Sequence, residues 1–484
     1  MSLGLRANEP LVFRARKRSQ ADRTRFAFPF GVAAVVAIFA IPIDVLDLMG
    51  IDYASPGGNP LIKLHPATYL AACGAAFAVF GARRSGDTLA SLFRDRPGLA
   101  AFLVLIPACA FYSMLSVGFS GSAVYVESFL SAGLLAVALE AGSERQRRAL
   151  GYLFLAFCLG DVGLSVFESL TQTQLIPIVV DNHLLKDAAE DFRGFALYDH
   201  PLTGAMVTAM GVFLVLSMRL GPLMAASAFS LLLIGLLSFG GRTALGVTLL
   251  FLVVAAIYVL VHGLATRNLS ASFVAAFLGG AAVLAPLLVV IALETTIGER
   301  IVGHLYYDSS AAVRNTQWQV LGYLTQRDVL FGIAPDALDQ IKAQIGLGSA
   351  FTDIENCWLL IFLNLGLIGF VVFLAALVLF LGHLARRSTA LGWMVLVATL
   401  IMVSSSNSLG RKGPDLFFLV ACMIAMTGFI GYERPAAARA RVRRVMDLRH
   451  HRGLATGPAA SSRNITAVPP ARPSLSLLAG HSTR

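Results

Sequence analysis

Residues 356–381 read NCWLLIFLNLGLIGFVVFLAALVLFL, 26 positions without one charged side chain. A bilayer's hydrocarbon core is about 30 Å thick and takes roughly 20 apolar residues per helix, so this stretch is a membrane span by length alone. The same test, worked outward, finds eleven more runs: about 26–43, 66–82, 99–117, 123–141, 149–169, 201–218, 221–238, 243–262, 273–293, 390–405 and 416–432. Composition agrees. Of 484 residues, 57% are hydrophobic and 14% charged, whereas soluble domains carry about 25% charged residues. The sequence predicts an all-α fold, a polytopic membrane bundle of about 12 transmembrane helices. A basic arm over 1–25 precedes the membrane domain of 26–432, and a basic tail rich in Ala, Arg, Pro and Ser fills 433–484.

The net charge of +10 comes from 38 Lys+Arg against 28 Asp+Glu. Its distribution points to membrane topology and away from nucleic acid. Arg6, Arg14, Arg16, Lys17, Arg18, Arg23 and Arg25 precede the first span. Alternate loops then carry Arg83, Arg84, Arg94 and Arg96, next Arg145, Arg147 and Arg148, and later Arg386 and Arg387. Loops rich in Lys and Arg stay on the cytoplasmic side, which predicts both termini there and a multi-pass membrane protein. Only 10 basic residues remain for the outer face. The five cysteines, which lie inside apolar runs, have neither the pairing of a disulfide framework nor the spacing of a zinc site.

The outer face concentrates the unusual residues. The loop over about 44–65 carries Asp44, Asp47, Asp52, Lys63 and His65, and the loop over about 170–200 ends in Arg193, His200 and Pro201. The longest, 294–355, exceeds the usual length of an unstructured connection. Val313, Trp318, Leu321 and Leu324 near helical spacing over 311–325, and Leu338, Ile341 and Ile345 over 337–346, predict two short helices in a lid. Arg242 stands in Phe-Gly-Gly-Arg-Thr-Ala between two spans, where arginine costs about 2.5–3.5 kcal/mol if truly central. Arg314 precedes Trp318 by one helical turn. Asp353, Glu355 and Asn356 open the 356–381 span. Asp353 is the expected helix cap, which leaves Glu355 for general-base work. Glu127, Asp161 and Glu168 are charges within spans, each a candidate functional residue.

In order along the chain stand Arg-Gly-Phe and His-Pro (193–201), Gly-Arg-Thr-Ala (241–244), Val-Arg-Asn-Thr-Gln-Trp (313–318), Leu-Phe-Gly-Ile (330–333), Glu-Asn-Cys-Trp (355–358) and Gly-Leu-Ile-Gly (366–369). Over roughly 193–370 this resembles the O-antigen ligase and polymerase superfamily of bacterial envelope polysaccharide assembly. The resemblance implies glycosyl transfer at the outer face of the inner membrane. The donor would be an oligosaccharide on undecaprenyl diphosphate and the acceptor another glycan chain. Arg242 and Arg314 would hold the diphosphate and Glu355 would be the base, all three as catalytic residues. Arg193, His200, Trp318, Asp353 and Asn356 would bind substrate. No cofactor or metal is implied. The expected partners are membrane lipids, a chain-length regulator and other assembly proteins. Ligases of the family carry His-Asn where this chain has Glu355-Asn356, so the polymerase branch, which includes exopolysaccharide polymerases, fits better. A ligase, a transporter or lipid-linked-oligosaccharide flippase, and a non-catalytic scaffold are the alternatives.

Overall fold

The computed structural model of the chain describes residues 24–51, 53, 63–81, 85–176, 179–180, 183–184, 193–265, 315–347, 354–406 and 408–430. The expected span at 273–293, most of the 294–355 loop's first half and the 433–484 tail lie outside the described residues, as do Arg314 and Asp353.

Apart from one two-residue antiparallel pair (Val179–Val180 with His183–Leu184), the described regular elements are helical. In chain order they are α1 (Ala27–Ala40), α2 (Ile43–Leu48), α3 (Pro66–Phe80), α4 (Ser85–Asp95), α5 (Pro97–Val117) and α6 (Phe119–Val124). A π-helical turn, Tyr125–Leu130, then leads into α7 (Ser131–Glu140). There follow α8 (Glu144–Thr171), α9 (Pro201–Ser217), α10 (Pro222–Ser238) and α11 (Arg242–Ala265). After a 3₁₀ helix, Gln317–Tyr323, come α12 (Gln326–Phe331), α13 (Pro335–Gln344), α14 (Cys357–Ala385), α15 (Ala390–Ser404) and α16 (Asp415–Thr427). Among the described residues, four helices are long and apolar enough to cross a membrane: Pro97–Ser116, Ser122–Glu140, Glu144–Thr171 and Cys357–Ala385. Seven shorter apolar helices accompany them, and together they make this a membrane-embedded chain.

Local chemistry sets the starts. Proline opens α3, α5, α9 and α10, where its missing N–H costs nothing. Ser143 and Gln146 form a reciprocal capping box at the start of α8. Helix α16 is apolar on every side and buried from Asp415 to Met426, so it takes the centre of the bundle. Helices α7, α8 and α9 pack directly around it. The periphery is marked by large exposed apolar side chains, among them Phe111 and Leu115 of α5, Val253 and Ile257 of α11, and Val371 and Val378 of α14. A ring of such residues is what a lipid-facing surface requires.

Helix α14 has 29 residues, about 43 Å at 1.5 Å per residue, and outruns the hydrocarbon core. It breaks at Gly366, whose φ of 61° is a left-handed conformation favoured by glycine. Beyond the break Leu367 and Ile368 are exposed, whereas residues 357–365 are covered. Cys357, Ile361 and Leu365 are buried in the main core, and Leu359 and Leu363 in a second apolar core with Val320, Ile333, Leu338 and Ile354. Gly332 lies against the Asn364 carbonyl and Gly366 itself, too close for any side chain. Ile333 N donates to Leu363 O (2.8 Å) beside the break, and Tyr112 Oη donates to Phe331 O (2.5 Å). The Leu-Phe-Gly-Ile and Gly-Leu-Ile-Gly segments are thus in direct contact.

The helix expected over 311–325 differs. Residues 317–323 are 3₁₀, with three residues per turn, so Gln317 and Val320 face inward. Trp318, expected on the packed face, is 50% exposed, and Leu321 is 42% exposed. A further helix, α12, follows, opened by a capping box of Thr325 and Asp328. The helix expected over 337–346 begins at Pro335 and ends at Gln344.

The bundle has two unlike ends. One carries Arg96, Glu140, Arg147, His383 and Arg387. Here Glu140 accepts from His383 Nε2 (2.7 Å), Arg96 Nη1 (2.8 Å) and Arg387 Nη1 (2.9 Å). The other carries the described loop residues within 41–51, 63–65, 193–200, 354–357 and 408–415.

Candidate functional site

At the loop-rich end, the segment that begins at Arg193 is fixed from below by α8. Glu168, fully buried, accepts from Leu175 N (2.9 Å), Phe195 N (2.7 Å) and Ala196 N (2.7 Å). Gly194 sits directly on Ser165, where a Cβ would overlap the serine side chain and carbonyl. Ala196 is held at a φ of 52°. Glu168 therefore binds main chain, and that contact sets where Arg193 stands. Asp161 lies deeper in α8, beside Tyr198, whose ring packs among Phe39, Phe239 and Phe418.

His200 caps α9, its Nδ1 accepting from Leu202 N (3.1 Å), which assigns the hydrogen of the neutral ring to Nε2. Although part of His200 reaches the surface, the protein around it strips its water. Burial, then the Arg193 and Arg411 guanidiniums, push its pKa down to about 4. Neighbouring Asp199 moves the other way, to about 7, through burial and then the like charges of Asp415 and Asp44. Asp44 itself rises to about 6, through burial and then Asp47. Three carboxylates from distant parts of the chain therefore approach one another beside two arginines and a neutral histidine. Arg242 opens α11 at the same end, and Gly241 before it lies against Ala205 in the first turns of α9.

A second group forms around the π-helical turn. Glu127 accepts from His65 N (3.2 and 3.3 Å) and Thr68 Oγ1 (3.0 Å). His65 caps α3, its Nδ1 accepting from Ala67 N (3.0 Å) while Nε2 donates to Ile41 O (2.8 Å), so this ring too is neutral. Burial lowers its pKa, against the Ile41 bond. Lys412 lies 4.9 Å from the Tyr53 ring centroid and donates to the Tyr53 carbonyl (2.9 Å).

The start of α14 corrects one expectation. Its cap is Asn356 in place of Asp353, with Asn356 Oδ1 accepting from Leu359 N (3.0 Å). The carboxamide supplies the acceptor at the position where the helix begins. Buried Gln317 of the 3₁₀ helix accepts from Glu355 N (3.0 Å) and Asn356 N (3.1 Å). Behind them Cys357 Sγ donates to Val403 O (3.2 Å) and Trp358 Nε1 to Ser404 Oγ (2.7 Å), tying α14 to α15.

Arg193, His200 and Arg242 thus gather around the start of α9, and Glu355 and Asn356 around the start of α14. Trp318 stands on the outside of the 3₁₀ helix that braces the latter. Arg411, Ser128 and Gln317 escaped the sequence reading, because each acquires its place only through partners tens to hundreds of positions away. The arrangement offers guanidiniums for an anion and carboxylates for a proton. Among the described residues, no group of three His, Cys, Asp or Glu is placed to hold a metal ion. Compared with known proteins, the chain matches no family model and no curated protein.

Proposed function

We propose that this chain polymerises undecaprenyl-diphosphate-linked oligosaccharide repeat units into a bacterial surface polysaccharide, an O-antigen or exopolysaccharide. It acts as a glycosyltransferase at the outer face of the inner membrane, with about 12 spans and the arginine-rich end in the cytoplasm. The observation that carries this reading is that Arg193, His200, Arg242 and Glu355 share the loop-rich end of an apolar bundle. In the reaction the acceptor hydroxyl attacks the anomeric carbon of the donor, the bond from that carbon to the diphosphate breaks, and Glu355 takes the hydroxyl proton. Arg242 and Arg314 hold the departing prenyl diphosphate, whose charge paired hydrogen bonds from guanidinium neutralise. Arg193, His200, Trp318, Asp353 and Asn356 line the path of the glycan.

The test replaces Arg242, Arg314 and Glu355 singly by Ala and measures polymer length, with protein level as the control. Each is expected to shorten or abolish the polymer. Normal chain lengths in all three would overturn the assignment.

A further inference from the structure

The arginine-rich end of the bundle holds a cleft for which the proposed reaction has no use. It forms where the start of α8 meets the ends of α14 and α16, and it opens to the surface. Leu384, Met423 and Ile424 make its apolar wall, facing Glu140, Arg147, Arg387 and Thr427. Thr427 Oγ1 donates to Ile424 O (2.6 Å) and accepts from Arg147 Nη1 (2.9 Å), which holds the Arg147 guanidinium against α16. Arg387 is held from the other side, its Nη1 donating to Glu140 (2.9 Å). A guanidinium carries five N–H donors, and these bonds use one from each. Arg147 Nε is buried and has no hydrogen-bond partner among the described residues, a state that buried polar groups rarely keep. The charge is equally incomplete. Glu140 is the one carboxylate among the lining residues, and Arg96 draws on it too (2.8 Å), so three guanidiniums stand around a single negative charge.

We propose that this cleft binds the phosphodiester of an anionic membrane lipid, with Arg147 and Arg387 gripping the phosphate. The enclosed space, about 20 Å³, holds about one water-sized group. It seats one phosphate oxygen, and the rest of the headgroup stays at the mouth. Three features select a lipid over a soluble anion. The cleft stands at the end of an apolar bundle, where helix ends meet headgroups. Tyr152 of α8 and Trp393 of α15 follow the two arginines along the chain and are exposed, as aromatic residues at a membrane interface are. The apolar wall suits the glycerol and ester carbons and offers nothing to the hydration shell of a free ion. The surplus of positive charge then selects a lipid of net negative charge over a zwitterionic one. Once bound, a single headgroup joins α8, α14 and α16.

The experiment titrates the full chain in neutral detergent with phosphatidylglycerol or phosphatidylcholine, and native mass spectrometry reads the affinity of the first lipid retained. Phosphatidylglycerol should bind at least about tenfold more tightly than phosphatidylcholine. Arg147→Gln is expected to weaken phosphatidylglycerol binding at least about tenfold. Arg147→Lys keeps the charge, loses the planar fork and should weaken it less. Arg145→Gln removes the same charge from an exposed position outside the cleft, and should change the affinity less than about twofold. Phosphatidylglycerol should also raise the melting temperature of the wild type and leave that of Arg147→Gln unmoved. Should Arg147→Gln itself melt lower without lipid, Thr427→Val takes its place, since it removes only the acceptor that holds Arg147, and it should weaken binding severalfold. Wild-type affinity in the variant that keeps its melting temperature overturns the proposal. So does an equal loss in Arg145→Gln, which marks diffuse surface charge. Displacement of the lipid by inorganic phosphate, and not by sodium chloride of equal ionic strength, marks a soluble-anion site and overturns it as well.

Discussion

Glu140 and Glu168 are both buried carboxylates near the end of a helix, yet they serve opposite partners. Glu140 takes His383 of α14 and two arginines, Arg96 just before α5 and Arg387 just after α14, and so ties helix to helix at the arginine-rich end. Glu168 takes three backbone N–H groups and ties loop to helix at the other end. Gln317 and Ser128 repeat the second pattern, each holding main chain in place, Ser128 through Arg411 O (2.9 Å) and Gly413 N (3.0 Å). At the first end side-chain charges pair with one another. At the second, buried acceptors hold the backbone, and the charged heads of residues such as Arg193 and Arg411 are carried on the framework this creates. Functional groups sit on loops in most proteins, and here the rigidity of those loops is supplied from beneath.

The comparison breaks most easily at Glu168. Glu168→Ala leaves three N–H groups without their acceptor, and should cost about 3–5 kcal/mol, since each buried donor left unpaired costs about 1–3 kcal/mol and relaxation recovers part. Hydrogen exchange should accelerate over residues 193–200 while α5 and α14 stay protected. Unchanged exchange there would mean the loop holds itself. Glu140→Gln should cost about 2 kcal/mol, below the usual value for a broken buried pair because Arg96 and Arg387 remain partly in water. Its effect should stay at the arginine-rich end, and faster exchange at 193–200 in this variant would dissolve the distinction between the ends. Ser128→Ala removes two bonds and should cost about 1–2 kcal/mol, with faster exchange confined to residues 410–413. The smallest effect concerns Asp199. Its pKa, raised to about 7, means the folded chain holds that proton more tightly than the unfolded chain. The resulting stability is complete below the ordinary carboxylate range and is lost as pH rises through about 7. Asp199→Asn should therefore flatten the fall in melting temperature over this window. An identical slope in the variant would show that other groups carry it.

Much of the bundle is legible in the chain because apolar runs and their proline starts are local properties. Pro97, Pro201 and Pro222 each stand at the head of a run and each opens a helix. The capping of α14 was misread between neighbours, since Asp353 and Asn356 are both good caps and only the backbone decides which stands at the boundary. A 3.6-residue period groups Trp318 with Val313, Leu321 and Leu324, whereas the 3₁₀ geometry buries Gln317 and Val320 and leaves Trp318 exposed. Ser128 and Arg411 were beyond reach of any pattern. Their bond spans 283 positions, a separation that no local sequence pattern reports.

The break at Gly366 also carries a consequence for the order in which the chain is made. Residues 315–347 leave the ribosome before α14 does, so Val320, Ile333 and Leu338 wait for half of their core. Ile354, Leu359 and Leu363 complete it only when the next helix follows. The segment from 357 to 365, apolar as it is, then finds its solvent in protein on every side, whereas the run from 367 onward leaves Leu367, Ile368, Val371 and Val378 on a face open to lipid. One glycine thus marks where an unbroken apolar sequence changes destination during synthesis.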